Sequence, residues 1–412
     1  MIELSKNTYI CNKYFLLVKN SLMIKVEEAI AIIEANSTKM PTKLISVSKA
    51  LGYVLAEKVI SPIDMPPFRQ SAMDGYAFTH SIRHQYDIVG TSQAGDHSNI
   101  KLKQNEAIRI FTGAFVPDNA DTVIMQEHVM ANKDSILIAT MPDKLSNVRQ
   151  KGEQIAKDDI VFEANTLITP AAIGFLACLG ITEVEVYKKP KVAILVTGNE
   201  LVEPGKKLKK GKIFESNSVM LEAALGTIGI KKTKVYRVKD NLKATKNALK
   251  SILKKNDVVL ISGGISVGDY DFVKEALLQN GVQELFYKIN QRPGKPMFFG
   301  TKNETLVFAL PGNPASSLTN FYIYVSPAIK NKLGFSNIHK TKVVRKLNSE
   351  IKNSTGKTLF LKAKYDETKV TILDGQSSAM LNTFAVANGL LIVPEDIQEY
   401  KKGQLVTLLP ID

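Results

Sequence analysis

A glycine-rich loop between an apolar strand and a helix is the segment of this sequence best suited to bind an anion. The apolar run 258–261 ends at the Ser-Gly-Gly of residues 262–264, and a helical pattern begins at Phe272. Such a junction directs backbone N–H groups and the positive end of a helix toward one small volume. Asp269 and Asp271 at the loop's exit suit Mg²⁺. A plain tight turn is equally compatible with the pattern.

Two cations on a stiff turn make a second candidate anion site. In the sequence RPGKP (292–296) two prolines remove conformational freedom from the backbone. Arg292 offers a planar fork and Lys295 a point charge, so the pair suits a tetrahedral oxyanion or a phosphate. A solvated turn is the alternative. The segment 310–317 adds a predicted helix N-terminus with Ser316 in its first turn, which is another place for an anion.

Carboxylates follow two of the predicted strands. Glu200 comes after the apolar strand 192–196, and Asp240 comes after the strand 234–238. In a parallel sheet both would lie at the carboxyl edge, where ligands bind in open α/β sheets. Each could contact a metal ion or a hydroxyl there, and the alternative is a helix cap or a surface acid.

The elements that must position these residues form an α/β series. Strands alternate with helices between residues 190 and 338, and their apolar runs lack period-two alternation. This pattern predicts a doubly wound, mainly parallel sheet covered on both faces. Short alternating strands after about residue 339 predict a small terminal β domain that extends to residue 412.

A second region is predicted to be mostly β-structure. Short strand-like runs separated by Gly, Asp and Asn extend from residue 67 to 165 and carry Asp74 and Thr112 on loops, although Asp-Gly is also typical of a plain turn. The apolar residues of the flanking segments 23–66 and 166–189 recur at helical spacing, and the stretch 44–60 is predicted to continue this helical pattern. We therefore predict that a β domain is inserted into a discontinuous helical domain.

Composition limits the classes of function. The net charge of +14 indicates either solvated lysine-rich faces or a preference for anionic partners, and no basic cluster with interleaved aromatic residues supports nucleic acid. Two cysteines without CxxC spacing disfavour a disulfide framework and favour a reducing cytoplasm. No apolar run approaches the ~20 residues of a membrane span, so no membrane partner is expected. Residues 1–22 differ from the rest and are interpreted as an extension that is not native, with the natural start at Met23.

Six motifs in one order resemble the MoeA–gephyrin family of molybdopterin molybdenumtransferases. They are SAMDGYA (71–77), RIFTGA (109–114), TGNEL (197–201), SGGISVGDYD (262–271), RPGKP (292–296) and LPGNPASS (310–317). The resemblance covers almost the whole span from Met23 onward. It implies an elongated, four-domain homodimer that has a helical domain, an inserted β domain, a molybdopterin-binding α/β domain and a C-terminal β barrel.

The resemblance also implies a reaction and its participants. Molybdate would be inserted into adenylylated molybdopterin with release of AMP, and Mg²⁺ would be required. The substrates are small anions, and the molybdopterin adenylyltransferase and acceptor molybdoenzymes are implied as possible partners. The alternatives are adenylylation or a related pyrophosphate hydrolysis by the α/β domain, and a non-enzymatic scaffold like gephyrin.

The family's functional positions map onto this chain motif by motif. Asp74 and Thr112 would reach the partner subunit's cleft, while Glu200, Asp240 and Asp271 would line the cleft of the α/β domain, with Glu200 and Asp271 nearest Mg²⁺. Substrate binding is implied for the loop residues Ser262, Gly263, Gly264, Ser266 and Gly268, and for Lys288, Arg292, Lys295, Asn313 and Ser316.

The last domain departs from the family pattern at two positions. Lys357 and Lys362 stand where the family tends to place arginines, and lysine lacks the bidentate fork of arginine. Both are nevertheless expected to bind substrate, together with Ser378 of the serine-bearing loop 375–378.

Overall fold

The computed structural model describes residues 23–96, 100–265 and 272–411. The chain divides into two compact units. One contains the described residues up to Lys43, Gly52–Val54 and everything from Tyr187 onward; the other contains Leu44–Leu51 and Leu55–Val186. The predicted N-terminal extension lies outside the described residues.

Helix α1 belongs to the first unit. It spans Val26–Asn36, and its buried residues Val26, Ala29 and Ile33 recur at helical spacing. The predicted helical pattern at 44–60 is wrong. That stretch contains strand β1 (Thr42–Ser46), a three-residue 3-10 turn (Val47–Lys49) and strand β2 (Val59–Ile60). The apolar spacing was misleading because Leu44 and Leu51, which a helix would bury, are 59% and 55% exposed.

The second unit is mostly β-structure, as predicted for residues 67–165. Its further elements are β3 (Gln70–Ser71), β4 (Gly75–Phe78), β5 (Gln85–Ser92), β6 (Glu106–Ile110), β7 (Thr122–Met125), β8 (Val129–Ala131), β9 (Ser135–Ile138), β10 (Val148–Arg149), β11 (Ile160–Phe162), helix α2 (Pro170–Cys178) and β12 (Glu183–Tyr187). Six of these strands form one sheet in the order β7-β4-β6-β5-β9-β8. Its faces bury apolar clusters that include Ile108 and Ile110 on one side and Phe78 and Tyr86 on the other.

The α/β region of the first unit begins after Tyr187. Its elements are β13 (Val192–Thr197), β14 (Leu201–Val202), β15 (Ile213–Phe214), α3 (Asn217–Thr227), β16 (Thr233–Val238), α4 (Leu242–Lys255), β17 (Val258–Ser262), α5 (Phe272–Gln279), β18 (Gln283–Lys288), β19 (Gln291–Arg292), β20 (Pro296–Lys302), β21 (Thr305–Leu310), α6 (Pro314–Asn320), a π-helical turn (Phe321–Val325) and α7 (Ser326–Lys332).

Six of these strands form a sheet covered on both faces. The order is β16-β13-β17-β21-β20-β18; the first four strands are parallel and β20 runs antiparallel to β21 and β18. Every residue of β13 and β17 is buried, with alternate residues in two separate apolar cores. The doubly wound sheet predicted from continuous apolar runs is confirmed.

The C-terminal region closes into a small barrel. Its elements are β22 (Val343–Leu347), β23 (Ile351–Lys352), β24 (Thr358–Tyr365), β25 (Lys369–Ile372), α8 (Leu381–Val386), β26 (Gly389–Val393), β27 (Glu399–Tyr400) and β28 (Leu405–Pro410). Five strands close in the order β24-β25-β22-β28-β26, because β26 also pairs with β24. The short strand β19 pairs in parallel with β24, which attaches the RPGKP turn to the barrel. No helix in the described part of the chain is long and apolar enough to cross a membrane.

Candidate functional site

The ends of four parallel strands bring together most of the residues predicted from the α/β motifs. Thr197 pairs with Val238, Val196 with Ser262, and Ser262 with Leu310, so these strands end within one residue of each other. The loops that follow surround a cleft of about 550 Å³. Its lining includes Glu200, Glu215, Asp240, Ser262, Gly263, Gly264, Asn217 and Asn313. We call it the acidic cleft.

The two glycines after β17 permit a close approach of backbone to backbone. Gly263 and Gly264 have φ of +92° and +63°, in the left-handed region that favours glycine. A Cβ on Gly263 would lie 2.7 Å from the carbonyl oxygen of Thr197. The rest of the predicted loop, with Ser266, Gly268 and Asp271, lies outside the described residues.

The carboxylates of the acidic cleft differ in their surroundings. Asp240 Oδ2 accepts a hydrogen bond from the Asn199 backbone N–H at 2.9 Å, while Glu200 is exposed. Glu215 is buried and accepts from the backbone N–H and the hydroxyl of Ser218. Within the described residues no group of three His, Cys, Asp or Glu side chains is arranged to hold a metal ion. Within that part of the chain, Glu200 and Asp240 therefore supply two oxygen donors to the cleft but no complete cage.

A second cleft of about 380 Å³ has the opposite charge. It is lined by Gln291, Arg292, Pro293, Gly294, Lys295, Pro296, Pro311, Asn313, Ser316, Lys357, Gln376, Ser377 and Ser378. None of these residues carries a carboxylate. The ion pairs in the described part of the chain do not involve Arg292, Lys295 or Lys357. Three cations that have no ion-pair partner among the described residues, beside serine hydroxyls, suit an oxyanion. We call this the cationic cleft.

The two clefts are contiguous. Pro296, Pro311 and Asn313 line both of them. Asn313 also donates from Nδ2 to the Ser378 hydroxyl at 3.0 Å, and the Ser316 N–H donates to the Ser378 carbonyl at 3.3 Å. These bonds join the N-terminus of α6 to the serine-bearing loop of the barrel. A ligand with separate anionic groups can therefore extend from one cleft into the other.

Buried polar residues hold the RPGKP turn (292–296) in place, and the sequence analysis did not identify them. Gln291 Nε2 donates to the carbonyls of Pro293 and Gly294 at 3.0 and 3.2 Å and to Asn320 Oδ1 at 2.7 Å. Tyr324 donates its hydroxyl proton to Gln291 Oε1, and burial raises the pKa of this tyrosine well above its usual value. The only available signal was the position of Gln291 directly before Arg292, which says nothing about contacts with a helix 30 residues later.

Asn217 is a further residue that the sequence analysis missed. It begins helix α3, and its side chain donates from Nδ2 to the Ser262 hydroxyl at 2.7 Å and to the Gly312 carbonyl at 2.8 Å. One amide thus joins α3 to the ends of β17 and β21. This bond pattern fixes the position of two loops that line the acidic cleft.

Two lysines predicted to bind substrate do not line either cleft. Lys288 is half-buried, and its Nζ lies 5.4 Å from the centre of the Tyr287 ring. Lys362 is only 3% exposed, and its Nζ donates to the carbonyls of Gly375, Ser377 and Met380 at 2.7, 3.1 and 3.0 Å. Burial lowers the pKa of Lys362 from its ordinary value. An ammonium group has three protons, so these carbonyls use all of them.

Asp74 and Thr112 lie together in the second unit. Asp74 Oδ1 accepts from the backbone N–H of Thr112 at 2.7 Å and from its hydroxyl at 2.8 Å. The backbone N–H, followed by the hydroxyl, lowers the pKa of this exposed carboxyl because both bonds favour the charged form. The pair predicted from two separate motifs is therefore a local unit with a carboxylate that stays ionised at neutral pH.

Replacing Thr112 with alanine is expected to raise the pKa of Asp74 toward its ordinary value. The hydroxyl bond is lost, but the N–H bond remains, so the pKa stays below that of a free aspartate. A titration of the carboxyl carbon by NMR measures the shift. Asp64 is the internal control, because its pKa is lowered by Lys157 and Lys151 instead and should not change. An unchanged Asp74 pKa would contradict the role of the hydroxyl.

Comparisons with known proteins cover nearly the whole chain. Three family profiles match in succession: the MoeA N-terminal region (domain I and II) at residues 24–180, a probable molybdopterin binding domain at 193–331, and the MoeA C-terminal region (domain IV) at 345–411. A molybdopterin molybdenumtransferase of Haemophilus influenzae is 34% identical over 383 residues, which are 90% of this chain and 94% of that protein. The chain belongs to the MoeA family.

Further MoeA-family relatives agree in sequence and in fold. A Staphylococcus aureus molybdopterin molybdenumtransferase is 31% identical over 399 residues, which cover 94% of this chain and 95% of that protein. The crystal structure of the MoeA protein from Pyrococcus horikoshii superposes with a TM-score of 0.81 at 28% identity, covering 95% of this chain and all of that one. The family resemblance found in the six motifs is confirmed.

Proposed function

We propose that this chain is the molybdopterin molybdenumtransferase of its organism, which transfers molybdenum from molybdate to adenylylated molybdopterin and releases AMP. It is an enzyme of molybdenum cofactor biosynthesis. The observation that carries the proposal is the contiguity of the acidic cleft with the cationic cleft at the carboxyl ends of the sheet strands. Ligands of open α/β sheets bind at this edge.

The charges of the two clefts match the chemistry of the substrates. Molybdate and adenylylated molybdopterin are both anions and repel each other in water. Arg292, Lys295 and Lys357 offset this repulsion in the cationic cleft, whose described lining residues carry no carboxylate. The hydroxyls of Ser316 and Ser378 lie beside them and can orient an oxyanion by donating hydrogen bonds. The protein thus acts mainly by positioning and by charge.

Mg²⁺ fits the donor set of the acidic cleft. This ion is commonly held by one or two carboxylates together with substrate phosphates, and Glu200 and Asp240 supply two carboxylates to the same cleft. When bound, Mg²⁺ would supply positive charge against the pyrophosphate of the substrate. Asp271 remains a predicted third donor. Glu215 is a poorer donor because both of its oxygens already accept from Ser218.

The homodimer and the cytoplasmic location remain predictions. We expect Asp74 and Thr112 to serve the cleft of a partner subunit, as the family resemblance implies. A mixed dimer tests this expectation, because a subunit with Asp74→Asn and a subunit with Asp240→Asn would together restore one intact site. Activity of the mixture no higher than that of either variant alone would contradict it.

Molybdate-dependent release of AMP from adenylylated molybdopterin is the direct test of the function. We expect the purified chain with Mg²⁺ to release AMP, measured by chromatography, at a rate at least about 10²-fold above that without molybdate, because the clefts place both anions together. A parallel reaction with tungstate measures the choice of metal. Adenylylation of molybdopterin from ATP without molybdate would instead favour an adenylyltransferase, and absence of both reactions would favour a scaffold.

A further inference from the structure

The buried ammonium group of Lys362 holds the backbone carbonyls of the serine-bearing loop of the barrel toward itself. Its three hydrogen bonds end on the carbonyls of Gly375, Ser377 and Met380. The main chain of Lys362 is held as well, since its N–H donates to Gln376 Oε1 at 3.0 Å and its carbonyl accepts from Gln376 Nε2 at 2.8 Å. The loop is therefore wrapped around this one residue.

Turning carbonyls inward turns the adjacent N–H groups outward. A trans peptide places its N–H opposite to its C=O, and the cis peptides in the described part of the chain lie at Pro66 and Pro293 rather than in this loop. Because the carbonyls of Gly375 and Ser377 point at Lys362, the N–H groups of Gln376 and Ser378 point away from it. Neither N–H has an acceptor among the described residues.

The residues that carry these two N–H groups line the cationic cleft. Gln376, Ser377 and Ser378 line that cleft, whereas Lys362 is buried behind them. Backbone N–H groups that face one volume can bind an anion, and such bonds are strong because the acceptor is charged. The three cations of the cleft favour the same ligand.

We propose that the N–H groups of Gln376 and Ser378 form an amide nest for a tetrahedral oxyanion, and that Lys362 positions this nest without touching the ligand. The inference rests on the proposed function for the identity of the oxyanion, which is either molybdate or the phosphate of the substrate. It assigns Lys362 a different role from the direct substrate contact implied by the family resemblance. Lysine suits the role because its compact ammonium can donate to three converging carbonyls, whereas the planar fork of arginine cannot.

The substitution Lys362→Arg distinguishes direct contact with the oxyanion from positioning of the loop. If Lys362 contacted the oxyanion, arginine would keep or improve the affinity through its bidentate fork. If Lys362 acts through the carbonyls, arginine displaces the loop and weakens binding. We expect the dissociation constant for sodium molybdate, measured by titration calorimetry on the full chain, to rise about tenfold or more, since two charge-assisted hydrogen bonds are misaligned. The same titration with inorganic phosphate shows which oxyanion uses the nest.

Lys332→Arg is the matched control for this variant. Lys332 is a buried lysine of the same unit, 2% exposed, whose Nζ donates to the carbonyls of Thr38 and Glu304 at 3.5 and 3.2 Å. Its replacement should lower thermal stability by a comparable amount and leave oxyanion affinity unchanged. Equal losses of oxyanion affinity in both variants would mean that Lys362 acts only through the overall stability of the protein, and this result would overturn the proposal.

Gly375→Ala tests the same loop if Lys362→Arg does not fold. Gly375 has φ of +77°, and a Cβ there would lie 2.6 Å from Thr383 Oγ1 and 2.8 Å from Met380 Sδ. The loop must shift, although no cation or hydroxyl is removed. Gly403→Ala is the control, because its φ is +86° and an added Cβ meets nothing within 4 Å. Wild-type affinity in Gly375→Ala would overturn the nest.

The outcomes distinguish this proposal from the proposed function. Oxyanion binding by the wild type that Lys362→Arg leaves unchanged overturns the nest alone. Binding that depends on Lys362 in a protein that never releases AMP overturns the function alone. A wild-type chain that binds neither molybdate nor phosphate also overturns the nest, and the AMP-release assay then decides the proposed function separately.

Discussion

Replacing Arg292 and Lys295 together with alanine is expected to lower kcat/KM for molybdate by about 10²–10³-fold in the AMP-release assay. The expectation follows from their position, since both line the cationic cleft and neither pairs with a carboxylate among the described residues. Loss of one preorganised donor to a developing oxyanion costs a factor of this size in enzymes. Part of the loss should appear as a higher KM, because the charges also bind the oxyanion before reaction.

The matched control removes the same charge elsewhere. Lys346 and Lys364 are exposed lysines of the barrel and line neither cleft. The variant with both replaced by alanine also lowers the net charge by two, so it reports the long-range effect on the attraction of anions. That effect is screened within about 8 Å at physiological salt. We therefore expect kcat/KM for molybdate to change less than threefold in this control variant. Equal losses in the two double variants would mean that net charge, rather than the cleft, carries the chemistry.

The parts of the site that were predictable from sequence are those set by local patterns. A continuous apolar run followed by two glycines identified β17 and the turn after it, because burial on both faces and a left-handed backbone each restrict residue types. Glu200 and Asp240 were found because parallel strands end at a common edge. The motifs and their order then supplied the family, which no single strand or loop could do.

The parts that were not predictable depend on contacts between distant residues. Gln291 and Tyr324 support the RPGKP turn through a hydrogen bond between residues that are 33 positions apart. Lys362 was predicted to bind substrate because it stands where the family tends to place an arginine, and the sequence did not show that its Nζ donates to three carbonyls. A motif records which residue stands at a position, not which way its side chain points. The same limit applied at 44–60, where apolar spacing resembled a helix.

The glycine loop after β17 also carries a large expected effect. Gly263→Ala places a Cβ 2.7 Å from the Thr197 carbonyl oxygen and keeps a left-handed φ of +92°. The left-handed backbone costs about 1–2 kcal/mol with a side chain. Overpacking against a strand that is buried on both faces adds about 1–3 kcal/mol. The free energy of unfolding of the α/β region should therefore fall by about 2–5 kcal/mol, measured by circular dichroism in urea because the chain contains no tryptophan.

Gly281→Ala is the control that has the backbone strain but not the clash. Gly281 has φ of +77°, similar to that of Gly263, but an added Cβ there meets nothing within 4 Å. It should lose only the strain, about 1–2 kcal/mol, and keep full AMP release. Gly263→Ala should also lose AMP release by about tenfold or more at temperatures where it remains folded, since the displaced loop lines the acidic cleft. If both variants lost equal stability and kept equal activity, the close approach to Thr197 would have no role in shaping the cleft.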